Sequence, residues 1–156
     1  MTFSMQITYK EGDNSYNDFI KELFFQYKTS ELLAFNWPSE ILVSLLEMQF
    51  KAQEDSYRKQ FPNANGFIIE IENVPVGWLL LTKADTYHIV DIIIHNNFQG
   101  KGIGSQVIKE LIEQASVENK KVTLKVAKNN TALKLYSTLG FKIIDEDDVY
   151  LKMSTS

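Results

Sequence analysis

Three glycines at alternate positions, Gly100, Gly102 and Gly104, follow the apolar run Ile89-Val90-Asp91-Ile92-Ile93-Ile94 and lead into a helical pattern. Without a Cβ, such a backbone passes close to a ligand. A helix that starts inside the loop aims its unpaired N–H groups, and the positive end of its dipole, at whatever binds there. That arrangement suits an anion, most often phosphate. Two common phosphate signatures do not match. The Gly-Lys-Ser/Thr of the P-loop is absent, and the dinucleotide spacing fails because its third glycine would fall on Ser105 or Val107.

Downstream runs Val126-Ala127-Lys128-Asn129-Asn130-Thr131-Ala132-Leu133-Lys134-Leu135-Tyr136-Ser137-Thr138-Leu139-Gly140-Phe141. Together the two segments resemble the GNAT superfamily of acyl-CoA-dependent N-acyltransferases. Gln99, Gly102 and Gly104 match that family's Arg/Gln-x-x-Gly-x-Gly/Ala loop. Asn129, Ala132, Leu135, Tyr136, Leu139, Gly140 and Phe141 match its Asn-x-x-Ala-x-x-Leu/Phe-Tyr-x-x-Leu-Gly-Phe motif. The likeness is specific over about residues 76–142 and loose before them. It implies acetyl-CoA as the cosubstrate and a primary amine, on a small molecule or a peptide, as the acceptor. It also implies that the pyrophosphate meets Gln99, Gly100, Lys101, Gly102, Ile103, Gly104 and Ser105, with Lys101 replacing the charge that Gln99 lacks. Asn129 would reach the pantetheine or pyrophosphate, and backbone groups of Ile92, Ile93 and Ile94 would pair with the pantetheine amides as a pseudo-strand.

Amide formation from a thioester needs a neutral amine, a held oxyanion and a proton for the leaving thiolate. Tyr136 matches the family's tyrosine at the sulfur, and its phenol, with a pKa of about 10, can supply that proton. The resemblance assigns the oxyanion to a backbone N–H near Ile94. Two side chains are candidates for the base. Asp91 is the sole carboxylate in an apolar strand, an expensive placement unless it is paired or faces a cavity. His88 titrates in the right range but is expected at the solvent end of that strand. Glu70 and Glu72 are more remote candidates, and a water chain is a further route. On the acceptor side, Gln49, Gln53 and Tyr57 recur at i, i+4, i+8 and form one helix stripe; a solvated face explains the same spacing. Phe35, Trp37 and Trp78 are candidate aromatic walls, or core.

The elements that must hold these residues follow from periodicity. The strand Met5–Tyr9 precedes a helix carrying Phe19, Ile20, Leu23, Phe24 and Tyr27, and a second helix opens at Pro38-Ser39 and ends before Pro62. Strands 66–72 and 76–82 flank a turn at Asn73-Val74-Pro75, and 87–94 completes the meander. A helix over 102–117 and a strand over 122–126 follow, which makes 87–94 and 122–126 parallel neighbours. Asn129 or Asn130 caps the next helix and Gly140 ends it. Strands 141–144 and 149–153 form a last hairpin around the acidic turn 145–148. The expected fold is α/β (α+β): a GNAT fold with a mixed, mostly antiparallel sheet of six to seven strands, helices on both faces, and a splayed parallel pair at the cofactor site. One domain over 1–156 suits the length.

Composition narrows the classes. A net charge of -4 argues against a nucleic-acid partner. With no cysteine there is no disulfide, thiolate metal site or cysteine nucleophile, and two histidines, His88 and His95, do not make a metal site. No apolar window reaches membrane-spanning length and the first residues do not resemble a signal peptide. The expectation is a cytoplasmic monomer or homodimer that catalyses N-acetylation. The alternative is an acyl-CoA-binding sensor of the same fold.

Overall fold

The computed structural model describes residues 6–156, without the side chains of Ser30, Glu31 and Ala34. The strands are β1 (Ile7–Glu11), β2 (Asn65–Ile71), β3 (Val74–Lys83), β4 (Tyr87–Ile94), β5 (Val122–Ala127), β6 (Lys142–Glu146) and β7 (Tyr150–Ser154). The helices are α1 (Asn17–Leu32), α2 (Ser39–Gln60), α3 (Ile103–Val117) and α4 (Leu133–Thr138). These seven strands join one sheet in the order β1-β2-β3-β4-β5-β7-β6, in which β4 and β5 run parallel and the other neighbours antiparallel. This is the mixed sheet expected from the sequence; Met5 of the expected first strand lies outside the described residues.

Helix α3 explains why the sheet holds together. Its residues Ile103, Val107, Ile108, Leu111 and Ala115 recur at helical spacing and are buried in one core with Leu79, Leu81, Ile89 and Leu124. Each large side chain contributes about 1.5–3 kcal/mol of transfer free energy before chain entropy is counted. Ile112, expected in that core, is only partly buried. Helices α1 and α2 cover the opposite face and meet through Phe24 and Phe50, whose ring centroids are 5.4 Å apart.

Irregularity in β4 shapes the site. Leu80 pairs with Asp91 and Leu81 pairs with Ile89, so Val90 has no partner on β3 and forms a bulge. Parallel pairing with β5 stops at the same place, at Ile89 opposite Leu124. Past the bulge, Ile92 and Ile94 pack toward the α3 core, and Asp91 lies on the α1–α2 side with its cross-strand partner Leu80. Had the strand stayed regular through residue 91, the alternation of Tyr87 and Ile89 would carry the carboxylate into the α3 core.

Four local expectations need correction. The first hairpin turns at Glu72-Asn73, both at positive φ (51° and 65°), which puts Val74 and Pro75 inside β3. Pro75 is tolerated because the register slips there, leaving Val76 without a partner on β2. The last hairpin turns after Glu146, so Asp145 and Glu146 belong to β6, and the Asp147 carboxylate closes the turn by accepting from the N–H groups of Val149 and Tyr150. Phe35 and Trp37 are neither core nor cleft wall. They stack on each other at 5.0 Å and are 59% and 43% exposed. Neither asparagine before α4 caps it: the N-cap is Ala132, without a side-chain bond, and Asn130 Oδ1 instead accepts from the Ala132 N–H at 2.8 Å in the turn that precedes the helix, while Asn129 is exposed.

Candidate active site

Where β4 and β5 part, a gap opens in the middle of the sheet. Residues 90–93 of β4 and 124–127 of β5 form its sides, and Tyr136 of α4 and Asn130 line it with them. Tyr27 and Lys28 of α1 and Tyr150 of β7 also reach the gap. Nothing in the sequence marks those three, because each belongs to an element whose own pattern is that of packing. The volume is about 300 Å³. Backbone groups of β4 on this side have no strand partner after Ile89, so the edge can pair with an extended chain.

At the end of β4 lies the glycine loop. Gly100 and Gly102 have φ of +76° and +81°, and a Cβ at either would meet no atom within 4 Å. Glycine is required there by backbone conformation rather than by crowding. Gly102 is the residue from which α3 starts, and the N–H groups of Ile103, Gly104 and Ser105 in the first turn have no intrahelical acceptor. The loop therefore presents an open set of donors at a helix N-terminus. The side chains of Gln99 and Lys101 are engaged elsewhere. Gln99 Nε2 donates to the Ile94 carbonyl at 2.9 Å and to Asn96 Oδ1 at 3.2 Å, and the Lys101 ammonium lies 5.6 Å from the centre of the Phe98 ring. Gln99 thus fixes the end of β4 against the loop, and the donors left open at the start of α3 are backbone groups.

Asp91 and Tyr136 line the same gap. Burial pushes the Asp91 carboxyl up to about 7, against a hydrogen bond from the Ile92 N–H and the field of the Lys28 ammonium, which lower it. Little of the carboxyl's surroundings is solvent, and water reaches it through the cavities. For Tyr136, burial is again the first cause of a raised pKa, followed by the charges of Tyr27 and Asp91. Its ring packs edge-on against Phe141 at 6.0 Å. The phenol stays protonated at neutral pH and is a donor, while Asp91 is poised to accept a proton near neutrality.

The remaining candidates sort by position. His88 is half-buried on the face of α2, stacked on Phe61 at 5.5 Å, with Nδ1 2.8 Å from Thr123 Oγ1. It lines neither the gap nor the adjoining cleft, and burial lowers its pKa ahead of Lys152 and Lys125. Expected at a solvent end, the imidazole instead bridges β4 and β5 under α2. Glu70 is buried on β2 and Glu72 sits in the turn. Gln53 and Tyr57 do border the gap, joined by a bond of 3.0 Å from Gln53 Nε2 to the Tyr57 hydroxyl, and Gln49 lines neither cavity.

The acetyltransferase (GNAT) family model matches residues 27–141, which contain the glycine loop, Asp91 and Tyr136. Solved structures share the fold at low identity. The PaiA N-acetyltransferase of Thermoplasma acidophilum, crystallised with coenzyme A, is 15% identical with a TM-score of 0.68, covering 97% of this chain and 99% of its own. A GNAT family acetyltransferase of Elizabethkingia anophelis with bound acetyl-CoA is 18% identical, with a TM-score of 0.63 and coverage of 96% and 97%. A Bacillus subtilis acetyltransferase in complex with CoA is 17% identical, with a TM-score of 0.62 and coverage of 98% and 99%.

Proposed function

The chain belongs to the acetyltransferase (GNAT) family, and we propose that it transfers an acetyl group from acetyl-CoA to a primary amine, with Asp91 as base and Tyr136 as acid. The observation that carries this reading is that both side chains line the gap left where β4 parts from β5. The residues present fit the cosubstrate. Open N–H groups at the start of α3 suit a pyrophosphate, the left-handed Gly100 and Gly102 leave room for it, and the free edge of Ile92 to Ile94 suits the amides of pantetheine.

Bound acetyl-CoA supplies an activated acyl carbon and a thiolate leaving group. The protein's part is to move two protons and hold one oxygen. An alkylammonium has a pKa of about 10, so a carboxylate at its ordinary value would be about six units too weak a base. With its carboxyl raised to about 7, Asp91 closes half of that difference and takes one proton from the ammonium, which frees the nitrogen lone pair to form the C–N bond; the nitrogen's second proton passes to solvent as the tetrahedral adduct collapses. The Tyr136 hydroxyl gives its proton to the sulfur as the C–S bond breaks. A backbone N–H near Ile94 holds the carbonyl oxygen, braced through the Gln99 contact to the Ile94 carbonyl. The products are an acetylated amine and free CoA thiol, and proton exchange with solvent resets both residues.

Free thiol measured over a panel of amines, with acetyl-CoA fixed, tests the proposal. Amine-dependent thiol release above background hydrolysis is the expected result. CoA binding without release on any amine would identify the chain as an acyl-CoA sensor.

A further inference from the structure

A second cavity, also of about 300 Å³, lies between α1–α2 and the sheet. It shares Gln53, Tyr57 and Asp91 with the gap between β4 and β5, so the carboxylate stands at the neck where the two meet. Coenzyme A bound along the glycine loop and the β4 edge would occupy the gap side. The cleft on the other side of Asp91 is left for the acceptor.

Its lining has a definite chemistry. Phe50, Tyr57, Phe61 and Trp78 supply aromatic walls. Trp78 is set there by Gly66, since a Cβ on residue 66 would stand 2.0 Å from its indole ring. Two further carboxylates line the cleft, Asp13 from the loop after β1 and Glu54 from α2. Hydrogen bonds from the Ser15 hydroxyl and backbone N–H hold the Asp13 carboxyl below its ordinary value, so it is ionised at neutral pH. The Lys10 ammonium acts on Asp13 from outside the lining, and within the lining three carboxylates face one basic side chain among the described residues, that of Arg58. Its side chain is 75% exposed and its guanidinium is 3.9 Å from Asp55 on the same helix. Carboxylates at both the neck and the rim, joined by an aromatic wall, match a chain with a cation at each end and methylenes between.

We propose that the acceptor is an aliphatic diamine or polyamine, with its reacting nitrogen at Asp91 and a second ammonium held by Asp13 and Glu54. This rests on the acetyl-transfer reading above and specifies the acceptor for that same site. An amino acid or peptide acceptor would bring a carboxylate or amide into this acidic cleft and is disfavoured by like charge or by an unmatched polar group.

Steady-state kinetics at fixed acetyl-CoA should compare cadaverine with pentylamine, which differ by the distal amine alone. The expected kcat/KM ratio is about tenfold in favour of the diamine, the combined scale of two exposed ion pairs. The double variant Asp13→Asn with Glu54→Gln should bring that ratio to within about threefold of one, through KM for the diamine, and raised salt should lower it in the wild type. Equal kcat/KM for the two amines in the wild type, or a ratio unmoved by the double variant, overturns the proposal. Thermal shift by cadaverine against pentylamine separates the two readings. A diamine-specific shift that the double variant abolishes supports this site even if neither amine releases thiol, an outcome that would instead refute acetyl transfer. No diamine-specific shift and no turnover overturns both.

Discussion

Replacing Asp91 by Asn has two opposite consequences, and their combination is diagnostic. An aspartyl group with an ordinary pKa of 3.8 holds its proton here up to about 7. The unfolded chain loses that proton near pH 4, whereas the folded one keeps it for about three further pH units. Over that interval the unfolded state gains the more from rising pH, so the buried carboxyl lowers stability as pH climbs from about 4 to 7. At 1.36 kcal/mol per unit the penalty at pH 8 is about 4 kcal/mol, an upper value because solvent in the cavities relieves part of it. The neutral amide of Asp91→Asn carries no such penalty. The variant should match wild type near pH 4 and exceed it at pH 8 by about 2–4 kcal/mol, or roughly 5–10 °C in Tm. Its activity should move the other way. Wild-type kcat/KM should rise with pH and level off above about 7, and the variant should lose that limb along with about 10²-fold or more of the rate. The assays are thermal melts and acetylation rates across pH. A variant no more stable at pH 8 than wild type, or one that retains the limb near pH 7, would refute the placement of a strained carboxylate in the site.

Tyr136→Phe keeps the edge-on packing on Phe141 and removes the proton donor, so kcat should fall by about 10²-fold while CoA affinity from calorimetry stays within about twofold. Gly102→Ala imposes a left-handed φ on a residue with a Cβ, at a cost of about 1–2 kcal/mol in a melt without ligand. It also places a methyl in the space given to the pyrophosphate, so the thermal shift produced by CoA should shrink markedly beyond that cost. Gln99→Ala releases the Ile94 carbonyl and should lower kcat more than it weakens CoA binding, because its contact is to the strand end rather than to the anion site.

Much of this arrangement is legible in the sequence. The bounds of β4, 87–94, follow from its apolar run between a polar turn and the glycines. The α3 core follows from its helical spacing, and the two motifs locate Gly102 and Tyr136. The bulge at Val90 is not legible. Three consecutive isoleucines at 92–94 are apolar on both faces, which hides the change of alternation that a bulge imposes. Without the bulge the splay appears as a family property rather than a consequence of this strand, and the facing of Asp91 is undetermined. The hairpin at Glu72-Asn73 escapes a sequence reading for a related reason: Pro75 signals a turn, and only the register slip beside it lets proline sit within β3. His88 reads as solvent-facing because its partners, Phe61 and Thr123, come from elements distant in the chain. Among the acceptor candidates, Gln53 and Tyr57 stand where the stripe puts them. Asp13 and Glu54, both ordinary surface residues by pattern, enter the cleft only once α1 and α2 are packed on the sheet.

The central claim is that one gap in the sheet brings an amine, Asp91 and Tyr136 to an activated acetyl group. Mass spectrometry of the acceptor, with CoA thiol counted in the same reaction, tests it most directly. The account predicts one acetylated amine per thiol released, with both falling together in Asp91→Asn and Tyr136→Phe. Thiol release without acetylated amine, or equal yields in wild type and both variants, would contradict it.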